Sequence, residues 1–238
     1  LTQNTWEGLG IKGGAALDVK IINPLTFHSD FSVDLERDIS KGFTPSYFLN
    51  PNDFATLNTI SDNSTWSNYY VWDNLLTYDQ IWGNSHLTAM GGTSTELTHG
   101  LTYAASIQGI VNNDENMRII NSGTQNPGTS GYTYSNSLLS FFGRVNYILK
   151  DKYILTGNIR RDGSSNFGEG HEWGTFPSIA ATWRFSNEDF IQKSGLSSWL
   201  EDAKLRASYG LVGNQNVGSG AYLTTYGNTS RYLFGNVN

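Results

Sequence analysis

The stretch SLLSFFGRVNYILKDKYILTGNIRRDG, from Ser137 to Gly163, decides the fold. Phe141, Gly143, Val145, Tyr147 and Leu149 alternate with Arg144, Asn146 and Lys150, with Phe142 and Ile148 as exceptions, before Asp151-Lys152 turns the chain. On the return, Tyr153, Leu155, Gly157 and Ile159 alternate with Thr156, Asn158 and Arg160. A period of two sends successive side chains to opposite faces of a strand. So short a connection joins the two strands as an antiparallel hairpin. Each strand therefore has one oily face and one largely polar face.

The pattern continues outward from this hairpin. Trp173, Thr175, Pro177, Ile179, Ala181, Trp183 and Phe185 share one face of a following strand, and Leu205, Ala207, Tyr209 and Leu211 share one of the next. Near the other end, Thr26, His28, Asp30, Ser32, Asp34 and Glu36 lie opposite Leu25, Phe27, Ser29, Phe31, Val33 and Leu35. A transmembrane strand needs about 9 to 11 residues, with aromatics at its ends to sit at the lipid interface. Trp173, Trp183, Phe185, Tyr147 and Tyr153 fall where such girdles belong. An Arg or Lys turned to lipid at the bilayer midplane costs about 2 to 4 kcal/mol. Asp30, Asp34, Arg160, Arg184 and Arg206 are therefore expected to face inward, with His28 beside them.

Strands are predicted near 14–22, 25–37, 67–81, 85–97, 138–150, 153–162, 172–185, 203–213 and 220–234. Their connections alternate in length. Asn23-Pro24, Gly83-Asn84 and Asp151-Lys152 are tight, whereas 38–66, 98–137, 163–171 and 213–219 are long. Outer-membrane barrels keep short turns on the periplasmic side and long loops outside, so the long loops near 38–66 and 98–137 are expected to be extracellular. The segment 186–202 breaks the alternation and reads as a helical or irregular periplasmic insert, with Asn187 capping its start and Glu188 and Asp189 in its first turn. The fold class is all-β, an antiparallel transmembrane β-barrel segment, with residues 1–238 forming part of one barrel domain.

Composition agrees. The chain is 38% hydrophobic, 13% aromatic and 15% charged, with 26 glycines. It has no run of about 18 apolar residues that would make a spanning helix. A β-barrel escapes bulk hydropathy because only alternate residues meet lipid. The absence of cysteine removes disulfides and Cys-based metal sites. A net charge of −6, spread along the chain, speaks against nucleic acid as a partner. The opening Leu1-Thr2-Gln3-Asn4 has neither the basic nor the apolar region of a signal peptide, so the expectation is an internal piece of a longer chain.

Chemistry is sparse, and no catalytic or metal site is assigned. His28, His86, His99 and His171 are too scattered for a zinc motif. The oxygen-rich run 112–116 (Asn-Asn-Asp-Glu-Asn) offers a possible Ca²⁺ loop but lacks the glycine and terminal glutamate of an EF-hand, and a solvated acidic loop is the simpler reading. Gly210, Gly213, Gly218 and Gly220 follow a strand with no helix after it, so they are turn and strand glycines and not a phosphate cradle. Glu169 and Glu172 flank His171, but sequence neighbours on a turn rarely build a glycosidase pair. Trp66, Tyr69, Tyr70 and Tyr103 have the chemistry to stack on sugars and equally that of girdle aromatics.

Certain runs also carry a family likeness: Ser140 to Tyr147; Tyr153 to Thr156; Arg160-Arg161-Asp162-Gly163-Ser164-Ser165-Asn166-Phe167-Gly168; Trp173 to Ser178; Lys204 to Gly210; and Gly213-Asn214-Gln215-Asn216. In order and spacing they resemble the barrel of SusC/RagA-type TonB-linked outer-membrane transporters of Bacteroidetes. A looser likeness runs upstream through Val71 to Tyr78 and His86 to Ala89. The resemblance implies a barrel of about 22 strands around an N-terminal plug that this chain lacks. It further implies coupling to the TonB complex through that missing part, a SusD-like surface lipoprotein as lid, and oligosaccharides or peptides as substrates. Asp162 to Gly168 and Gly213 to Asn216 would then lie on the barrel rim. Two other readings share the alternation: a passive porin, and a secreted glycan-binding β-sandwich, which would bury its oily faces against each other.

Overall fold

Among the described residues ten strands follow one another: β1 (Gln3–Ile22), β2 (Leu25–Thr44), β3 (Tyr47–Asn50), β4 (Asp53–Ala55), β5 (Thr59–Trp82), β6 (Ser85–Gln108), β7 (Gln125–Leu149), β8 (Tyr153–Ser164), β9 (Trp173–Trp183) and β10 (Leu205–Gly210). This is a computed structural model, and it describes residues 2–111, 113–195, 199–217 and 222. Eight strands form one antiparallel sheet in the order β1-β2-β5-β6-β7-β8-β9-β10, and β3 and β4 make a separate small hairpin. The expected strand at 220–234 lies outside the described residues, Tyr222 apart.

The tight turns are where the sequence put them. At the β5–β6 turn Gly83 has φ +54°, and at the β7–β8 turn Lys150 and Asp151 take φ +54° and +52°. This left-handed backbone is what a twisted hairpin asks of its central residues. The Lys150 amide donates to the Asn84 carbonyl at 2.6 Å, tying the two turns together.

The strands are much longer than expected at the opposite end. β2 runs on through 38–44, β5 starts at Thr59, β6 continues to Gln108 and β7 begins at Gln125. The expected loops at 38–66 and 98–137 thus shrink to the connections 45–58, which holds the β3–β4 hairpin, and 109–124. Likewise β1 begins at Gln3, well before residue 14. The reason is pairing. Ser61, Asp62, Asn63 and Ser64 are polar on both faces, yet each is in register with β2 on one side and β6 on the other, so the ladder fixes what side-chain alternation does not announce.

Register assigns every side chain to a face. Leu17, Phe31, Leu76, Ala89, Val145, Leu155, Ile179 and Ala207 share one, here called the outer face. There Leu17 is 57% exposed, Phe31 45%, Ile159 54% and Ile179 54%, an apolar expanse that water would not tolerate on a folded sheet. On β8 the band runs from Tyr153 to Arg161, which at ~3.4 Å per residue and ~40° tilt is about 21 Å, close to the height of a membrane belt.

Above the belt the outer face turns polar, with Arg37 and Lys41 on β2, Asp62 on β5 and His99 on β6. Arg37 lies 5.0 Å over the Trp66 ring and Arg161 lies 5.1 Å over Trp173, marking the boundary with cation–π pairs. Farther up, Phe43, Ile60 and Ile107 form one register row, and with Ile110 they make a small buried core against which Ile120 packs. Beyond the belt the strands run in water on both sides, so the 109–124 connection folds back to cover this row. Buried Asn58 stitches it down, donating Nδ2 to the Ile110 carbonyl at 3.1 Å and accepting the Ile110 amide on Oδ1 at 2.8 Å. Arg118 caps Phe43 at 3.9 Å.

Candidate lumenal wall and rim

The opposite face carries the charge. His28, Asp30 and Asp34 on β2, Arg160 on β8 and Arg206 on β10 all fall on it by register, and Arg184 follows on the same alternation just past β9. They do not converge on a centre but are spread along the wall, each with its own partner. Asp34 and Glu36 accept from Lys12 Nζ at 2.7 and 3.1 Å. His28 Nδ1 lies 2.7 Å from Asp18 Oδ1. Asp30 accepts the Ser32 hydroxyl at 3.0 Å and stands directly opposite Asp73 across the β2–β5 ladder. Arg206 donates Nε to Thr182 Oγ1 at 3.3 Å, and Arg184 reaches Asp151 at 2.6 Å.

Both signs occur along the wall: Asp18, Asp30, Asp34, Glu36, Asp73 and Glu96 lie on β1 to β6 together with Lys12 and Lys20 of β1, while Arg144, Arg160, Arg184 and Arg206 lie on β7 and beyond together with Asp162 of β8. Among the described residues, Asp30, Asp73 and Glu96 have no cationic partner. No group of three or more His, Asp or Glu side chains among those residues is arranged to hold a metal ion. In the oxygen-rich run, Asn112 lies outside the described residues, Asn113 Oδ1 accepts from Asn58 at 3.1 Å, and Asp114 Oδ1 accepts the Asn116 amide at 2.9 Å.

At the upper end of β8 and β9 the two motif segments meet. Arg160 Nε donates to both oxygens of Asp162, at 2.7 and 3.0 Å, and its Nη2 donates to Ser140 Oγ at 2.8 Å. Ser140 is fully buried. Ser165 closes onto β7, accepting the Ser137 amide at 2.8 Å on Oγ and donating its own amide to the Ser137 carbonyl at 3.0 Å. Ser164 donates its amide to the Glu172 carbonyl at 3.0 Å, Phe167 donates to the Ser164 carbonyl at 3.4 Å, and the Gly168 carbonyl accepts from His171 at 3.0 Å. A Cβ on Gly163 would come within 2.9 Å of the Trp173 ring, and one on Gly213 would collide with Phe176. A larger residue at either position would have to displace the ring it meets. Asn214 Oδ1 accepts the Asn216 amide at 2.8 Å, and the Gln215 carbonyl accepts from Asn166 at 3.2 Å. Together these residues frame a cavity of about 540 Å³ lined by Glu96, Arg160, Asp162, Phe167, Phe176 and Gln215, among others. Separated in sequence, the two motifs come together at one end of the sheet.

The short-turn end carries a second cluster that the sequence did not disclose. Between β9 and β10 the chain makes a 3-10 turn (Phe185–Asn187) and the one-turn helix α1 (Asp189–Gln192). Asn187 does not cap α1. Its side-chain amide donates instead to the Asp151 carbonyl at 2.9 Å and to Asp151 Oδ2 at 3.1 Å, and Glu188 occupies the cap position without a side-chain capping bond. Glu188 accepts from Tyr153 Oη at 2.6 Å, Lys152 Nζ at 2.9 Å and Trp183 Nε1 at 3.1 Å. The Tyr153 hydroxyl first, then Lys152 and Trp183, hold its carboxyl down to about 2. Glu188 in return raises the Lys152 ammonium above its ordinary value. The aromatics flagged for sugar stacking divide by face, with Trp66, Tyr70 and Tyr103 on the outer face and Tyr69 on the lumenal one, its hydroxyl on Glu96 at 2.9 Å.

No family model matches the chain. Among curated proteins it is 35% identical over 163 residues to TonB-dependent receptor P3 of Formosa agariphila, 34% over 197 residues to TonB-dependent receptor P26 of the same organism, and 43% over 98 residues to TonB-dependent receptor SusC of Bacteroides thetaiotaomicron. These matches take in 68%, 79% and 41% of this chain, and the chain spans only 15%, 19% and 10% of those relatives. Among solved structures, the RagAB peptide transporter superposes on 92% of the chain with a TM-score of 0.81 at 23% identity, and 24% of that chain is covered. The fold and the belt-and-wall geometry are those of a transmembrane β-barrel of the TonB-dependent receptor class. Within that class its sequence is similar to SusC and its sheet superposes on part of the RagAB barrel.

Proposed function

We propose that the sheet is a wall of an outer-membrane importer that is driven through TonB, works under a SusD-like surface lipoprotein and admits oligosaccharides or peptides. The observation that carries this reading is the split of one continuous sheet into an outward apolar belt and a charged inner wall, in a chain 34–43% identical to TonB-dependent receptors. In this reading the long connections and the rim cavity face the medium, and the short turns and the 185–204 insert face the periplasm. The relatives are named as receptors, which supports passage and not catalysis as the protein's task.

Uptake of defined oligosaccharides and peptides by cells carrying, lacking and re-supplied with the complete gene tests the reading. The expected result is uptake of one solute class that disappears on deletion and on collapse of the proton-motive force. Leakage of assorted small solutes indifferent to a protonophore would replace it with the passive porin. Deleting 163–171 in the complete receptor is expected to weaken co-purification of the lipoprotein; unchanged barrel assembly and unchanged co-purification would remove the rim from the proposal.

A further inference from the structure

The insert between β9 and β10 starts at the lower aromatic girdle. Tyr153 and Trp183 are register partners on the outer face, and both give their polar handles to Glu188. The Phe185 ring lies 5.8 Å from that of Trp183. The insert is therefore strapped to the lipid-facing side of the sheet at the lower girdle. Ile191 of α1 is buried against the protein, whereas neighbouring Phe190 is 62% exposed and Trp199, farther along, is 80% exposed. Asp189 and Lys193 pair at 3.6 Å with their side chains 76% and 80% exposed, giving the short helix a wet side.

Exposed aromatics next to a charged pair, one step below a membrane belt, have the composition of an interfacial anchor, in which rings sit at headgroup level while the charges stay hydrated. We propose that residues 185–195 of the insert, together with Trp199, form such an anchor, its occupant the headgroup layer of the leaflet at the short-turn end, with Phe190 and Trp199 immersed and Lys193 in water. Glu188 is the strap that fixes its height. Tied to the polar atoms of Tyr153 and Trp183, it cannot rise or sink relative to the girdle without breaking those hydrogen bonds.

Spin labels at Phe190→Cys, Trp199→Cys and Lys193→Cys in the complete receptor, reconstituted in phosphatidylethanolamine–phosphatidylglycerol bilayers, test this through collision with oxygen and with a water-soluble nickel chelate. The expected oxygen-to-nickel accessibility ratio is at least about threefold higher at 190 and 199 than at 193. Equal ratios at all three positions would put the insert in water and overturn the proposal. Exclusion of both reagents from 190 and 199 would show a protein partner there and overturn it equally. Should a variant fail to assemble, the unsubstituted receptor is irradiated with a phosphatidylethanolamine carrying a diazirine at headgroup depth. Adducts on insert peptides support the anchor, and their absence while belt peptides are labelled refutes it.

Discussion

At the short-turn end of the sheet, Glu188 gathers a tyrosine hydroxyl, an ammonium and an indole N–H to hold an insert in place. At the far end, Phe43, Ile60, Ile107 and Ile110 hold a connection down chiefly by burial, with Asn58 hydrogen-bonded to the Ile110 backbone beside them. The difference follows from where each end stands relative to lipid. Beside the belt the apolar side chains are already solvated by acyl chains, so a protein core has little left to gain there and directed polar bonds secure the connection. Well above the belt the strands stand in water, and a sheet with two wet faces needs a small core of its own.

Four substitutions can break or sharpen that contrast. The largest effect is expected where both ends depend on the same ladder. A Cβ at Gly92 would sit against the Asn74 carbonyl oxygen and the Phe142 ring, so Gly92→Val should prevent assembly of the heat-resistant barrel in the outer membrane, read as loss of the fast-migrating band on unheated gels. Next comes Ile60→Ala, which empties a site only 2% exposed. It should cost about 3 kcal/mol, seen as faster hydrogen exchange in the far thirds of β2, β5 and β6 with the belt amides unchanged. If the belt loosens as well, the two ends are not independent.

Arg160→Ala should cost about 1 kcal/mol, because Arg160 and Asp162 are 43% and 23% exposed and water screens the pair, while Ser140 loses a donor at a fully buried site. A lowered melting temperature of the purified receptor, partly restored by Arg160→Lys, is the expected result. The smallest effect is confined to the insert and depends on pH. The folded carboxyl of Glu188 lies near 2, below its ordinary 4.5. Its contribution is therefore complete above about 4.5 and is lost as pH falls from there toward 2. Lys152, raised above 10.5, adds stability that is present below 10.5 and fades as pH climbs beyond it. Proteolytic nicking of the insert should increase on acidification through the lower window in the parent protein. In Glu188→Gln it should be faster at neutral pH and change little on acidification. A parent insert equally resistant at pH 3 and pH 7 would mean that charge does not hold this end.

Much of this architecture was legible because lipid enforces a rule on every strand. The oily and polar faces of β7 to β10, the tight turns at 23–24, 83–84 and 151–152, and the shared face of His28, Asp30, Asp34, Arg160 and Arg206 all follow from period-two alternation. That rule lapses outside the belt. The start of β7, from Gln125 through Gly128 and Gly131 to Ser137, reads as loop because nothing oily alternates there, yet it pairs residue by residue with β6. The role of Ser140 was equally hidden. A serine among leucines and phenylalanines becomes the buried acceptor for Arg160 only because the ladder sets it opposite Asp162. Asn187 was misjudged for a related reason: a turn from the neighbouring hairpin, remote in sequence, lies close enough to claim its side chain.

The order of strands has a bearing on how such a wall forms. With the β3–β4 excursion set aside, every strand of the large sheet bonds only to the strands before and after it in sequence. No segment has to wait for a distant one before it can be recruited, so loop-closure entropy is met in small instalments, beginning at the tightest hairpins. The hairpin β5–β6, with two residues between Trp82 and Ser85, is a natural nucleus. From it the ladder can advance in both directions like a closing zipper, which suits a chain that must enter a bilayer one hairpin at a time.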